Sequence, residues 1–577
     1  MGMIALRRWF TALLVWPLLA WSQAAPVTPV RYELSQAIFH PVVAEHGMVA
    51  TDHRLASEAG LRMLRQGGNA VDAAVAIGFA LAVVLPSAGN LGGGGFMVIH
   101  EAASGRDIAV DFREMAPAAA RADMYLDAQG AVVPQRSLYT HLAVGVPGTV
   151  AGLAHALARH GTLPLPVVMA PAIRLARQGF PVSADLARML EAQRERLGAW
   201  PAARAIFFRA GRPLAAGERL VQKDLARSLA LIARQGPRAF YQGDIGHRIA
   251  AEMAHRGGLI TLADLGRYRV VERAPVVGSY RGYQIVSMPP PSSGGTHIVQ
   301  MLNLLERFPL AEYGAGSART LHLQAEAMKL AYADRAEWLG DPDFGRVPVA
   351  GLTSRAYADQ LARGIDPDRA RPAAEIRPGR PQAYESEQTT HYSVADRHGN
   401  AVATTYTLNL AFGSGIVAAG TGILLNNEMD DFVAKPGVPN AFGLVGGAAN
   451  AIAPGKRPLS SMSPTIVLKD GRPWLVTGSP GGSHIITATL QTLIDSIDFA
   501  MNPAEAAAAP RVHHQWTPDE LRVEKGISPD TLELLRQRGH RVVIGPPMGR
   551  IQTIRIDGGG FQGYSDPRSP DAATLGY

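Results

Sequence analysis

Gln388-Thr389-Thr390-His391-Tyr392-Ser393-Val394 opens a β-rich run that turns at Asp396-Arg397-His398-Gly399-Asn400 and returns as Ala401-Val402-Ala403-Thr404-Thr405-Tyr406-Thr407-Leu408-Asn409. Two alternating segments around a Gly/Asn/Asp turn predict a hairpin. A fold-back centred on His398 sets Thr389 opposite Thr407, with Asn409 just beyond, and the long turn leaves that register open by a residue. Side chains alternate faces, so Thr405, Thr407 and Asn409 share one face. A threonine at a strand start, faced by polar partners, suits one chemistry. Cut the chain before it, and its own α-amine becomes the base for its hydroxyl.

The chain around this hairpin has 577 residues, enough for large cores and several domains by length alone. Hydrophobic residues make up 47% and charged residues 18%, which fits a compact fold and not a disordered one. There is no cysteine, so thiol nucleophiles, disulfides and Cys-based zinc sites are excluded and hydroxyl chemistry remains. Arg7 and Arg8 precede an apolar run, Trp9 to Trp21, and the small-residue segment Ser22-Gln23-Ala24. This reads as a secretory signal, residues 1–24, cut after Ala24, because a cut after Ala25 leaves Pro26 in front. The apolar run is short for a membrane anchor, so the expected location is periplasmic or secreted, with no stable span. The mature remainder carries 54 basic and 49 acidic residues, a balance of +5. Its basic residues are thinly spread, so no nucleic-acid partner is expected.

Met48 to Thr51 predicts a short strand before a helix that Gly67-Gly68 stops, and Asn69-Ala70-Val71-Asp72 opens a second helix through Val84. That second helix is apolar nearly all round yet shorter than a span, hence buried. Asn90-Leu91-Gly92-Gly93-Gly94-Gly95-Phe96 permits close backbone approach or positive φ, and lacks the Lys-Ser/Thr of a phosphate loop. Met97 to His100 and Ile108 to Phe112 read as paired strands that deliver Arg113, which beside two acids reads first as a surface ion pair, although its fork of donors is also the best side chain for a bidentate carboxylate clamp. From Val144 to about Leu265 the pattern is mostly helical, and Glu191 to Arg196 reads as a solvated helix face. Arg355 to Pro381 reads as an exposed, flexible approach to the cut. Glu428, Asp430 and Asp431 cluster without the alternating spacing of a calcium loop, and His513 and His514 point apart, so no metal and no cofactor is expected. Lys435 to Ala449 has the composition of a flap over a site. Gly481-Gly482, ahead of a helical run, offers outward N–H groups to an oxyanion.

TTHYSV, TYTLN, NNEMDDF, KRPLSSMSPT, TGSPGGS and SDPRS together resemble the γ-glutamyltransferase family of N-terminal-nucleophile hydrolases, from about Val43 to the C-terminus. The resemblance implies an α/β four-layer αββα sandwich made by two fragments, residues 25–388 and 389–577, that stay associated as a heterodimer. It implies self-cleavage between Gln388 and Thr389. Thr389 would then attack the γ-glutamyl amide of glutathione or a related compound and pass the acyl group to water or to an amine acceptor. In that pattern Thr407 orients the nucleophile, Gly481 and Gly482 hold the oxyanion, and Arg113, Ser460 and Ser461 hold the substrate carboxylate. Glu428 and Asp431 recognise the ammonium. Asn409 would bond a flap tyrosine, but the aligned residue is Phe442, which leaves packing alone to hold the flap. Two other readings compete: a glutaryl acylase of the same family, and a secreted protein that binds glutamyl peptides without cleaving them.

Overall fold

The structure is a computed structural model, and it describes residues 37–381 and 391–577. Gln388 and Thr389 lie outside the described residues. The hairpin forms as the sequence predicts, with strands His391–Asp396 and Ala401–Thr407 paired from His391↔Thr405 to Ala395↔Ala401. Asp396 fixes that register. Its carboxylate accepts the His398 and Asn400 amides at 2.8 and 3.1 Å, and its second oxygen accepts Ala70 N at 2.9 Å. The turn is therefore pinned to the N-terminus of the buried helix Ala70–Val84, which Asn69 and Asp72 cap reciprocally.

The hairpin forms the middle of a seven-stranded antiparallel sheet. Its order is Ala573–Gly576, Gly47–Thr51, His391–Asp396, Ala401–Thr407, Gly94–Glu101, Arg106–Phe112 and Val271–Arg273. A second seven-stranded sheet runs Val42–Ala44, Gly560–Ser565, Gln552–Asp557, Arg472–Gly478, Thr465–Lys469, Tyr283–Ser287 and Val276–Tyr280. The sheets face each other across Phe96, Val98, Ala401 and Ala403 on one side and Val286, Ile466, Leu468 and Val476 on the other. Strand alternation decides what lies beyond. Tyr392, Val394, Val402 and Tyr406 turn outward onto Ala70–Val84 and its neighbouring helices. Ile285, Val467 and Leu475 turn outward onto Gly294–Leu305, Ala318–Trp338 and His484–Ile497. The result is four layers, helix–sheet–sheet–helix, as expected. Among the described residues no helix is long and apolar enough to cross a membrane.

Two expectations need correction. Glu191 to Arg196 is largely solvated but is not one helix face: Gln193 breaks it into Ala184–Ala192 and Arg194–Ala199, and Arg196 reaches the carbonyls of Ala411 and Gly413. Nor is Arg355 to Pro381 loose throughout. It contains the helix Arg355–Ala362, and Gly379 is held by the buried Asp334 carboxylate at 2.7 Å and by the Trp338 indole at 3.2 Å. Its polar composition concealed Tyr357, Ile365, Ala370 and Ile376, which are buried.

Candidate active site

The four consecutive glycines allow the backbone to pass close beside the hairpin. None of Gly92 to Gly95 has positive φ. A Cβ on Gly93 would stand 1.9 Å from the Thr407 carbonyl, and one on Gly92 would stand 2.1 Å from that of Leu424. Asn90 completes the support by donating to Thr407 O at 2.7 Å. Thr407 is thereby held from its backbone, and its Oγ1 accepts the Asn409 amide at 2.8 Å. Asn409 sits at φ 76° and donates its side-chain amide to Asn427 O at 2.9 Å. His391, at the first described position of the hairpin, is fully buried between Thr405 Oγ1 and Ser393 Oγ, and burial lowers its pKa to about 3, so it is neutral. It fits only because residue 478 is glycine: a Cβ there would lie 2.4 Å from the imidazole.

Arg113 leaves the end of Arg106–Phe112 fully buried, so its ion pairs are internal and not the surface pair that its neighbours in the chain suggest. Its Nη1 donates to Glu428 and its Nη2 to Asp431 at 2.6 Å, while Nε and Nη2 reach the Pro458 and Leu459 carbonyls at 3.3 and 3.4 Å. The backbone before it is locked by Asp111, which accepts Arg113 N and pairs with Arg273, and Tyr268 donates to the Arg113 carbonyl. Glu428 and Asp431 come from a single 3₁₀ turn, Glu428–Asp431, seated by Asn426, which accepts Glu428 N and donates to the Gly92 and Gly145 carbonyls. The Pro458 and Leu459 contacts put Ser460 and Ser461, both buried, next in chain to the guanidinium.

A third carboxylate, Glu114, belongs to this cluster although sequence reasoning assigned it nothing. It lies 3.8 Å from Arg113 Nη1, fully buried, with neither oxygen bonded among the described residues. Burial raises its pKa to about 7 against the pull of Arg113. Burial likewise raises Glu428 well above the ordinary range, and Asp431 is raised in the same way. Burial alone would lower the Arg113 pKa, but Glu428, Asp431 and Glu114 together raise it. Three carboxyl groups share one guanidinium, and the Glu114–Glu428 pair avoids repulsion by holding a proton. The signal was present in Arg113-Glu114, but residue type alone does not say which acid turns inward.

Gly481 and Gly482 have φ of 133° and 60° just before the helix His484–Ile497. Among the described residues neither amide donates to a backbone carbonyl. Phe442 packs its ring against Gly482, where a Cβ would meet it at 2.6 Å. The expectation that packing alone holds the flap is wrong. Gln515 donates to the Phe442 and Gly443 carbonyls at 3.3 and 3.2 Å, and Ala441 N and Asn440 Nδ2 bond Asp430 and Asp431. Gln515 is itself tied to Ser483 Oγ at 2.8 Å, so one side chain couples the flap to the glycine turn. Nothing near Gln515 in the sequence signals this. His513 and His514 have separate partners, Thr487 with Gln515 and Asp519 respectively.

The sequence model described as γ-glutamyltranspeptidase matches residues 56–576. The chain belongs to the γ-glutamyltranspeptidase family. A glutathione hydrolase proenzyme of Escherichia coli (strain K12) is 58% identical over 556 residues, covering 96% of each chain. Among solved structures, a cephalosporin acylase from Bacillus halodurans superposes with a TM-score of 0.84 at 31% identity, covering 96% of this chain and 98% of its own. A γ-glutamyltranspeptidase from Helicobacter pylori is 50% identical with a TM-score of 0.56, and it covers 57% of this chain and 94% of its own. As a γ-glutamyltranspeptidase-family member the chain is an N-terminal-nucleophile enzyme made as a proenzyme and processed into two subunits, and it acts on small molecules.

Proposed function

We propose that this member of the γ-glutamyltranspeptidase family cuts itself between Gln388 and Thr389 into residues 25–388 and 389–577, after loss of a signal over residues 1–24, and works in the periplasm or outside the cell. Its donor is glutathione or a related γ-glutamyl amide. Thr389 Oγ attacks the γ-carbonyl while its freed α-amine, with a pKa near ~8 in model peptides, takes the proton. The tetrahedral oxyanion is received by Gly481 and Gly482, the amine leaves with a proton, and a γ-glutamyl ester remains. Water or an amine acceptor then releases it. Thr407 orients the nucleophile. Arg113, Ser460 and Ser461 take the substrate carboxylate, and Glu428 and Asp431 take its ammonium.

One observation carries this reading. Ser460 Oγ, two residues from the Pro458 carbonyl that Arg113 holds, and Asn409 Oδ1, whose amide nitrogen holds Asn427 O just before Glu428, are buried without partners among the described residues. A hydroxyl that can donate and an amide oxygen that can accept, both buried and unmet beside the Arg113, Glu428 and Asp431 charges, suit a ligand that brings both an anion and a cation. A γ-glutamyl group carries both, whereas a glutaryl group carries the anion alone. The deciding experiment is intact mass and N-terminal sequencing of the purified protein beside Thr389→Ala. Two chains led by threonine are expected from the first and one chain from the second; threonine-led fragments from the variant overturn the assignment.

A further inference from the structure

On the opposite helical face from the hairpin, the long helix Ala318–Trp338 carries His322 and Glu326 one turn apart, and the turn after the helix Pro529–Gln537 brings His540 against them. All three are buried, and one ligand atom from each falls within 4.8 Å of the others. His322 Nδ1 and His540 Nε2 face each other at 2.8 Å. The outer nitrogen of His322, Nε2, donates to the Asp366 carbonyl at 2.7 Å, which fixes the tautomer and leaves Nδ1 as a lone pair aimed at the cluster. Burial lowers the pKa of both imidazoles, that of His540 to about 2. The surroundings are built: Lys329 Nζ sits 2.6 Å from Glu326 Oε1 and donates to the Arg371 carbonyl. The amide of Arg371 reaches Glu326 Oε2 at 3.3 Å, and Ala370 N bonds the Arg538 carbonyl at 2.7 Å.

We propose that His322 Nδ1, His540 Nε2 and the Glu326 carboxylate form a binding site for a divalent transition metal of the zinc class. Two buried imidazoles and one buried carboxylate match that ion's donor preference and leave a fourth ligand to be supplied. Metal–ligand distances of about 2.0–2.2 Å at tetrahedral angles separate ligand atoms by about 3.3 Å. The two nitrogens must then part by about half an ångström, a shift that His540 can make because it sits on a turn after Gly539, at φ 97°. Without metal, His540 donates its Nε2 proton to His322 Nδ1. With metal, that imidazole stays neutral, carries its proton on Nδ1, and both facing lone pairs go to the ion. Lys329 stays on Glu326 and offsets its charge, so affinity is moderated. If the chain is cut before Thr389, two ligands lie on one fragment and the third on the other, so the metal also pins the fragments together. The binding itself does not depend on the cut.

The test uses tag-free protein stripped with chelator, then loaded with Co²⁺ or Zn²⁺ and desalted, beside His322→Gln and His540→Gln. Glutamine can keep a hydrogen bond across the pair while removing an imidazole donor, and each variant's thermal midpoint without metal checks that it folds. The expected result is one tightly held equivalent in the wild type, with the intense visible band of four-coordinate cobalt and a zinc-dependent rise in thermal midpoint. All three signals should be lost in both variants. Equal metal in wild type and variants, or none in the wild type, overturns the site. Neither result bears on Thr389, because no readout uses catalysis or cleavage.

Discussion

Replacing Glu114 by glutamine tests the electrostatics of the charge cluster directly. Glutamine has the shape of the protonated acid and cannot ionise. In the folded protein burial pushes the Glu114 carboxyl up to about 7, from an ordinary value of 4.5. Its folded pKa is raised, so the fold disfavours its charged form. The cost is nearly absent below pH 4.5, grows as pH rises, and is complete above 7. Linkage over that interval gives under about 1 kcal/mol at pH 5 and about 3 kcal/mol at pH 8. The group is fully buried, and the proton it shares with Glu428 makes the larger figure an upper one. Glu114→Gln should therefore be near neutral at pH 5 and stabilising at pH 8. For a chain of this size that corresponds to a thermal midpoint higher by about 2–3 °C at pH 8. Scanning fluorimetry of wild type and variant at both pH values reads the difference of differences. An equal shift at the two pH values, or a larger gain at pH 5, refutes the argument that Glu114 is an ionisable group forced into a site already rich in carboxylates.

Asp431→Asn removes a charge that the proposed reading gives to the substrate ammonium, so kcat/KM on a γ-glutamyl anilide should fall by about 1.5–3 kcal/mol in transition-state binding while a glutaryl anilide changes far less. Equal losses on the two would favour the acylase reading. Gly482→Ala drives a Cβ to 2.6 Å from the Phe442 ring at a φ of 60°, so kcat should fall by a larger factor than KM rises, and unchanged kcat would remove that turn from the oxyanion role. Phe442→Tyr supplies the flap hydroxyl that the family pattern pairs with Asn409, whose Oδ1 is buried without a partner among the described residues, and one added bond of ~0.5–1.5 kcal/mol should raise the ratio of glycylglycine transfer to glutamate release about 2- to 12-fold. An unchanged ratio would show that Gln515 and the 430–431 carboxylates already hold the flap as closed as it needs to be.

The hairpin was legible in the sequence because its causes are neighbours in the chain. Alternation sets the faces of His391–Asp396 and Ala401–Thr407, and Asp396, two residues before the turn centre, bonds the amides that fix the register. The cap at Asn69 and Asp72 is equally local, and so is the burial of the helix they open. Family motifs named the site residues, but they could not say what those residues touch. Arg113 meets Glu428 and Asp431 across 315 and 318 positions, and only the packing of distant segments, with Asn426 donating to the Gly92 and Gly145 carbonyls, brings them together. The glycine run was readable as permissive, yet close approach rather than positive φ was decided by the path of Thr407 beside it. Glu114 turns inward, Gln515 ties down the flap, and His322 meets His540 for the same reason. A side chain's type is written at its own position, whereas its partner, its burial and therefore its charge depend on where distant segments of the chain are packed.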